Sequence, residues 1–286
     1  MTRLHVEQPG ALALVEDLGR PGLAHLGVAG SGSLDRGALA LANRLVGNPD
    51  GAAALELLVG GFRARVEGET WLAVTGAWGS LRLDGRAVAP YTAVRAGDGS
   101  VLELGVAERG IRYLLAVRGG IDVAPVLGSR SRDTLSSIGP DPLAAGDVLE
   151  IGAEPRASVP VVDQDVAFPP AAGAVTLALL PGPRAEWFTD AARAALFEST
   201  WRLSEQADRI GARLLGPPLE RARPGELPSE ATVPGSMQVA GDGRPTILLA
   251  DRPVTGGYPV LGIVAPGSLD AVAQLRPGQG VRFRHA

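Results

Sequence analysis

Ala96-Gly97-Asp98-Gly99-Ser100-Val101-Leu102-Glu103-Leu104 is a glycine turn that feeds an alternating strand. The same unit returns as Ala145-Gly146-Asp147 ahead of Val148-Leu149-Glu150-Ile151, and as Pro277-Gly278-Gln279 ahead of Val281-Arg282-Phe283-Arg284. A period of two puts an apolar face on one side of each strand and a polar face on the other. Hairpin entries repeated along a chain predict a β-barrel or a β-sandwich.

The neighbouring segments agree. Leu81–Leu83 and Ala87–Ala89 flank Asp84-Gly85, a pair suited to the positive φ angles of a two-residue hairpin loop. Met237–Ala240 and Thr246–Ala250 flank Gly241-Asp242-Gly243 in the same way. Val74–Gly76, Ile111–Val117 and Val175–Leu180 are short apolar runs between turn residues and read as buried strands. Helices are expected over Asp35–Val46, with Ser33 or Asp35 as cap, over Arg184–Leu196, and over Glu205–Leu214. On the first, Leu39, Ala42, Leu45 and Val46 form the apolar face, while Arg36, Asn43 and Arg44 lie off it. Gly27–Asp35 echoes Gly262–Asp270, with Gly-Ser-Leu-Asp at the same distance from an upstream glycine. The echo reads either as chance in a Gly/Ala-rich chain or as an internal duplication. Two lobes are expected, 1–160 and 161–286, joined through the Pro-, Ala- and Val-rich stretch Glu154–Gly173, with segments free to be exchanged between them.

Absent residues narrow the chemistry. The 286-residue chain has no Cys, which excludes a thiol nucleophile, a Cys-ligated zinc, an iron–sulfur cluster and a disulfide framework. It has no Lys either, so all 27 basic residues are Arg. A Schiff-base lysine, a P-loop lysine and a biotinyl-lysine are thereby excluded. The three His, His5, His25 and His285, are too few for a His-rich metal site, and His25 reads as structural. No metal site is predicted on this chain. The net charge of −4 is spread over both halves with no basic stripe, which argues against nucleic acid as a partner. No signal-peptide core and no bilayer-length apolar run are visible, so a soluble, cytoplasmic protein is expected.

Several constellations carry possible chemistry. In Asp17-Leu18-Gly19-Arg20-Pro21-Gly22, Arg20 either grips a carboxylate or phosphate, or pairs with Asp17 to stiffen a turn. Gly30-Ser31-Gly32-Ser33-Leu34-Asp35 at a helix start either holds an anion or is ordinary capping. Gly128-Ser129-Arg130-Ser131-Arg132-Asp133-Thr134 reads either as an oxyanion grip or as a solvated loop. In Asp251-Arg252-Pro253-Val254-Thr255-Gly256-Gly257-Tyr258-Pro259 the paired glycines permit close backbone approach, and Asp251 offers a base or orienting carboxylate. The other reading of that stretch is a wide turn with Tyr258 packed in the core. Glu56 is either an isolated buried acid or solvent-facing.

Taken together and in order, residues 14–56, 118–135, 181–189, 205–216, 229–239, 250–262 and 273–283 resemble the carboxyltransferase-like family. That family includes the C-type subunit of 5-oxoprolinase, allophanate hydrolase subunit 2 and the antagonist of a sporulation-kinase inhibitor. The resemblance covers nearly the whole chain. It departs at Asp251–Pro259, where the family's Asp-x-Gln-Thr-Thr-Gly-Gly-Tyr-Pro has Pro253 and Val254 in place of Gln and the first Thr, and at Ser229-Glu230-Ala231, where the family has Ser-Glu-Gly.

The resemblance implies a mainly β fold of two cyclophilin-like β-barrel lobes. It implies a partner that is either the B-type subunit of 5-oxoprolinase or a protein like allophanate hydrolase subunit 1, with a third subunit in the 5-oxoprolinase branch. It also implies opening of 5-oxoproline to glutamate with ATP and Mg2+ in the complex, and no covalent biotin here. On that reading Asp251, Arg130 and Tyr258 are the expected catalytic residues. Arg20, Ser31, Ser33, Asp35, Ser131, Gln238, Thr255, Gly256 and Gly257 are the expected substrate contacts. The other branches leave a carboxyltransferase half in urea chemistry, or a non-catalytic antagonist of a kinase inhibitor, as alternatives.

Overall fold

The computed structural model describes residues 2–161, 169–223, 225 and 227–286. The protein is mainly β, with 39% of residues in strands and 12% in helices. It divides into two compact units. The first comprises Met1–Arg20, Asp35–Asp133 and Ser137–Pro170, and the second comprises Pro21–Leu34, Thr134–Ser136 and Ala171–Ala286. Of the linker expected over Glu154–Gly173, residues 162–168 lie outside the described residues.

The first unit is a curled sheet of nine strands carrying one helix. Its strands are β1 (Arg3–Pro9), β2 (Leu12–Glu16), β3 (Ala54–Leu58), β4 (Phe62–Glu67), β5 (Thr70–Leu83), β6 (Arg86–Ala87), β7 (Ala93–Ala96), β8 (Val101–Val117) and β9 (Val148–Glu150). The main path is β2-β3-β8-β4-β1-β9, with β5 on β8 and the short β6 and β7 on β5. The 17-residue β8 is the spine. On one edge its first residues pair with β4 and its last with β3, while the other edge runs along β5. Register shifts between Gly76 and Leu81 bend the β5–β8 ladder, as bulges do.

Alternation sorts the side chains of this unit. Leu55, Leu57, Leu72, Val74, Leu115 and Val117 enter the main core with Leu4, Val6, Phe62, Leu102 and Tyr113. The intervening Ala54, Ala73, Leu114 and Ala116 face helix α1 (Arg36–Leu45), meeting Ala38, Leu39, Ala42, Leu45 and Val46. Strands covered on both faces read as continuous apolar runs, which is why Ile111–Val117 is recognisable in the sequence. Asp35, not Ser33, caps α1: its carboxylate accepts from the Ala38 amide at 2.8 Å. Asn43, expected off the buried face, is fully buried. Its side-chain amide donates to the carbonyls of Asp50 and Ala52 at 3.2 and 2.8 Å and accepts from Asn48 at 3.0 Å, so a polar residue fits inside by closing the turn after the helix. Asp84 and Gly85 take φ of 52° and 75° in the expected tight hairpin.

The second unit contains β10 (Val175–Pro181), α2 (Asp190–Glu198), β11 (Trp201–Leu203), β12 (Gly211–Leu215), β13 (Glu230–Ala231), β14 (Ser236–Val239), β15 (Pro245–Leu248), β16 (Thr255–Gly256), β17 (Val260–Val264), α3 (Leu269–Ala273) and β18 (Gly280–His285). Seven strands close a barrel in the order β10-β17-β14-β15-β12-β11-β18, and β18 returns to β10 in parallel. Leu177, Leu179, Trp201, Leu214, Met237, Ile247, Leu261 and Phe283 are among the side chains of its core. β13 and β16 form a separate two-stranded ribbon.

Two helix expectations are corrected here. Glu205–Leu214 is not a helix. The Asp208 carboxylate accepts from the amides of Ile210 and Gly211 at 2.8 and 2.9 Å, turning the chain into β12, where Ala212 and Leu214 point inward. That local Asx bond competes with helix hydrogen bonding. Arg184–Leu196 is interrupted: a 3₁₀ turn over Ala185–Trp187 ends at extended Phe188, and Thr189 caps α2 by accepting from the Ala192 amide at 3.1 Å.

Candidate functional site

The expected site residues fall into separate clusters. The first lies in the first unit, where β2 runs out into the Asp17 turn. Asp17 Oδ1 accepts from the Gly19 amide at 2.7 Å and from the hydroxyls of Ser129 and Ser131, each at 2.6 Å. Oδ2 accepts from the Arg130 amide at 2.7 Å. Burial alone raises the pKa of this carboxyl, but the Ser129 and Ser131 hydroxyls and the Arg130 and Gly19 amides outweigh it and hold the group below the usual carboxylate range. Ser131, an expected substrate contact, is therefore engaged by Asp17, and Ser129 joins it.

Arg20 does not pair with Asp17. Its Nε donates to the Val126 carbonyl at 3.4 Å and its Nη2 to the Ser131 carbonyl, while buried Nη1 has no partner. The guanidinium of Arg130 is turned to its own loop, donating to the Val123 carbonyl at 2.8 Å and to Asp122 Oδ1 at 2.9 Å. Glu56 is a buried acid, 3.5 Å from the guanidinium of Arg112 on β8.

The second cluster belongs to the second unit and centres on Asp251, which is 0% exposed. Its Oδ1 accepts from Ser31 Oγ at 2.6 Å. Its Oδ2 accepts from the Thr134 amide at 3.0 Å, from Thr134 Oγ1 at 2.7 Å and from Arg209 Nε at 2.8 Å. Arg209, itself 3% exposed, also donates from Nη2 to the Gly32 carbonyl at 2.7 Å. Ser31 sits at φ 53°, in the left-handed region that non-glycine residues rarely enter. Burial pushes the Asp251 carboxyl up, but the charge and hydrogen bonds of Arg209, the Ser31 hydroxyl and the Thr134 amide prevail and hold its pKa low. An ionised carboxylate held by Ser31, Thr134 and both Nε and Nη2 of Arg209 is suited to fixing geometry rather than to taking up a proton at neutral pH.

The remaining expected residues lie elsewhere. Asp35 serves as the α1 cap, and Ser33 is buried. Gln238 on β14 donates to the Tyr258 carbonyl at 3.3 Å, and a Cβ on Gly256 would lie 2.5 Å from its Nε2, so the glycine there permits the close approach. Thr255 and Gly256 are held in the ribbon by Ala231 and Glu230. The Tyr258 side chain is 53% exposed, not packed in the core. His25 is exposed, with Nδ1 3.1 Å from the Gly22 carbonyl.

Sequence reasoning missed Arg209 and the role of Thr134. Arg209 stands inside a stretch that reads as helix, and nothing in its spacing points to Asp251, 42 residues away. A groove of about 510 Å³ on the first unit, lined by Gln8, Arg63, Ser80, Arg82 and Glu103 among others, includes none of the expected site residues. Among the described residues no group of three or more His, Cys, Asp or Glu forms a metal-binding set, and no helix is long and apolar enough to cross a membrane.

A closed barrel and a curled sheet define the fold class. The chain belongs to the carboxyltransferase domain (subdomain A and B) family, whose model matches residues 26–285. Among particular proteins it is similar to the C-type subunit of the Escherichia coli 5-oxoprolinase, 37% identical over 283 residues that cover 98% of this chain and 90% of that one. The crystal structure of TTHA0988 superposes with a TM-score of 0.89 at 39% identity, over 99% of this chain and 56% of that chain. The urea amidolyase of Kluyveromyces lactis gives a TM-score of 0.91 at 29% identity, over 99% of this chain and 18% of that chain. The chain thus spans about half the length of the first solved relative and under a fifth of the second.

Proposed function

We propose that this chain is a C-type subunit of a cytoplasmic 5-oxoprolinase complex. The complex would convert 5-oxo-L-proline, ATP and water to L-glutamate, ADP and phosphate, together with a B-type subunit and a third subunit. The observation that carries this reading is the match to the C-type 5-oxoprolinase subunit, which runs nearly end to end on both chains.

The residues present do not fit a self-contained site for ATP and Mg2+. No set of three metal-ligating side chains occurs among the described residues, and Asp17 and Asp251 are both engaged by internal donors. There is also no lysine for a phosphate. ATP and Mg2+ are accordingly assigned to the complex, and no step of the reaction is routed through them on this chain. Within this reading Asp251 is an orienting carboxylate, and Arg130, Tyr258, Thr255, Gly256 and Gly257 stay proposed substrate contacts on their loops.

A second reading is a carboxyltransferase half in urea chemistry, favoured by the superposition on urea amidolyase. It requires a separate biotinylated carrier, because this chain has no lysine. Substrate choice separates the two. The reconstituted complex should release glutamate from 5-oxoproline with ATP and should not consume urea in the presence of a biotinylated carrier protein. Urea consumption without glutamate release would transfer the assignment to the second reading.

A further inference from the structure

Arg20 presents an unusual charge balance. Its side chain is 2% exposed, yet no carboxylate forms an ion pair with it among the described residues. Two carbonyls, those of Val126 and Ser131, meet Nε and Nη2, and Nη1 is buried with no partner. The nearest acid in sequence, Asp17, instead accepts from Gly19, Ser129, Arg130 and Ser131. Ser131 enforces the separation: its hydroxyl serves Asp17 while its carbonyl takes Arg20. A buried guanidinium with an N–H group left unsatisfied is unfavourable. An acceptor that reaches Nη1 would relieve that cost.

We propose that Arg20 is the anchor of a carboxylate-binding site that is completed only when a carboxylate-bearing ligand arrives. The donor geometry selects the ligand. Nη1 offers two N–H groups and Nη2 has one beyond its bond to Ser131, so the free end of the fork matches the two oxygens of a carboxylate. The surrounding loops are apolar at their surface: Leu18, Val126 and Leu127 are exposed large hydrophobics. Val126 and Ser129 close a two-residue hairpin through paired backbone hydrogen bonds of 2.8 and 3.2 Å. Leu127 at its tip is held at φ 53°, a strained conformation for leucine. The Val126 carbonyl that accepts from Arg20 Nε belongs to this hairpin. The ligand is thus a carboxylate attached to a small apolar body, either a free metabolite or a side chain presented by a protein partner. The inference rests on the 5-oxoprolinase reading only for the choice of two of its probes.

The test uses the full chain with Arg20→Met and Arg20→Lys. Thermal unfolding is measured without ligand, and titration calorimetry with 5-oxoproline, glutamate, acetate and a B-type subunit. A buried guanidinium with an unsatisfied N–H predicts that Arg20→Met leaves the ligand-free melting temperature unchanged or raises it. The same variant should weaken carboxylate binding by about ten- to a hundredfold, the range of a charge-assisted hydrogen-bonded contact. If only the B-type subunit shows this Arg20-dependent loss, the carboxylate comes from the partner. If acetate or glutamate shows it and 5-oxoproline does not, the site stands and the 5-oxoprolinase reading loses support. If Arg20→Met both melts lower and binds less, Arg20→Lys decides: weakened binding on an intact fold supports the site, and full binding overturns it. The proposal is also overturned if wild type and Arg20→Met bind every probe and the B-type subunit equally.

Discussion

At the residue scale the chain invests its buried charge in holding loops. Asp251 and Arg209 are both inside, and the pair closes with Ser31, Gly32 and Thr134. Asp251→Asn leaves Arg209 without its countercharge, and a broken buried pair costs about 3–5 kcal/mol. Denaturant unfolding should register that loss, and Arg209→Met should cost a similar amount. Because the two residues act as one unit, the double variant should lose clearly less than the sum. The pH dependence follows from the same contacts. Asp17 and Asp251 have folded pKa values below their ordinary ones. Their stabilisation is present above the unfolded carboxylate value, about 3.9, and is lost as pH falls through the folded values. Melting temperatures should therefore owe no pH dependence to these groups between about pH 6 and 8 and should fall in acid below about pH 4. Asp251→Asn should flatten that acid limb, and an unaltered limb would contradict the assignment. Little of this is legible in the sequence. Asp251 stands out beside Gly256-Gly257, but its partners come from positions 31, 134 and 209, and no local pattern links such distances.

At the scale of single elements the sequence is far more informative, and the failures have identifiable causes. The Asp84-Gly85 hairpin is readable because two successive positive φ angles nearly require such a pair. A Cβ on Gly85 would meet nothing within 4 Å, so Gly85→Ala isolates the backbone cost at φ 75°. It should lower stability by about 1–2 kcal/mol, measured by thermal unfolding, with no other packing loss. The cap of α1 makes a similar test. Asp35→Ala should cost about 1 kcal/mol in the same measurement through loss of the bond to the Ala38 amide. Glu205–Leu214 misleads because Ala207, Ala212 and Leu214 suit a helix by composition, while one Asx bond from Asp208 sets the turn instead. Arg184–Leu196 reads as one long helix because Thr189, the true cap, lies inside an otherwise helical pattern.

At the scale of the whole molecule the repeated glycine-turn-and-strand unit announces a β fold, and both strand-rich units follow from it. Val101, Val148 and Val281 each begin or lie within the strand that the preceding turn predicts. Which of those strands close into a barrel and which curl is not readable, since closure depends on pairings such as β10 with β18, about 100 residues apart. Function at this scale rests on the relatives. A C-type subunit of 5-oxoprolinase matches this chain in sequence over nearly its whole length, and the same fold occurs as under a fifth of a urea amidolyase. Its chemistry is therefore expected from an assembly.

The most direct measurement is ATP-dependent glutamate formation from 5-oxoproline by purified B-type and third subunits, with this chain withheld and then added back in increasing amounts. Negligible glutamate is expected without the chain, and on its addition a rate that rises and saturates at a fixed ratio of subunits. Full activity without it, or none from an assembly shown to contain all the subunits, would contradict the assignment of this chain to a 5-oxoprolinase complex.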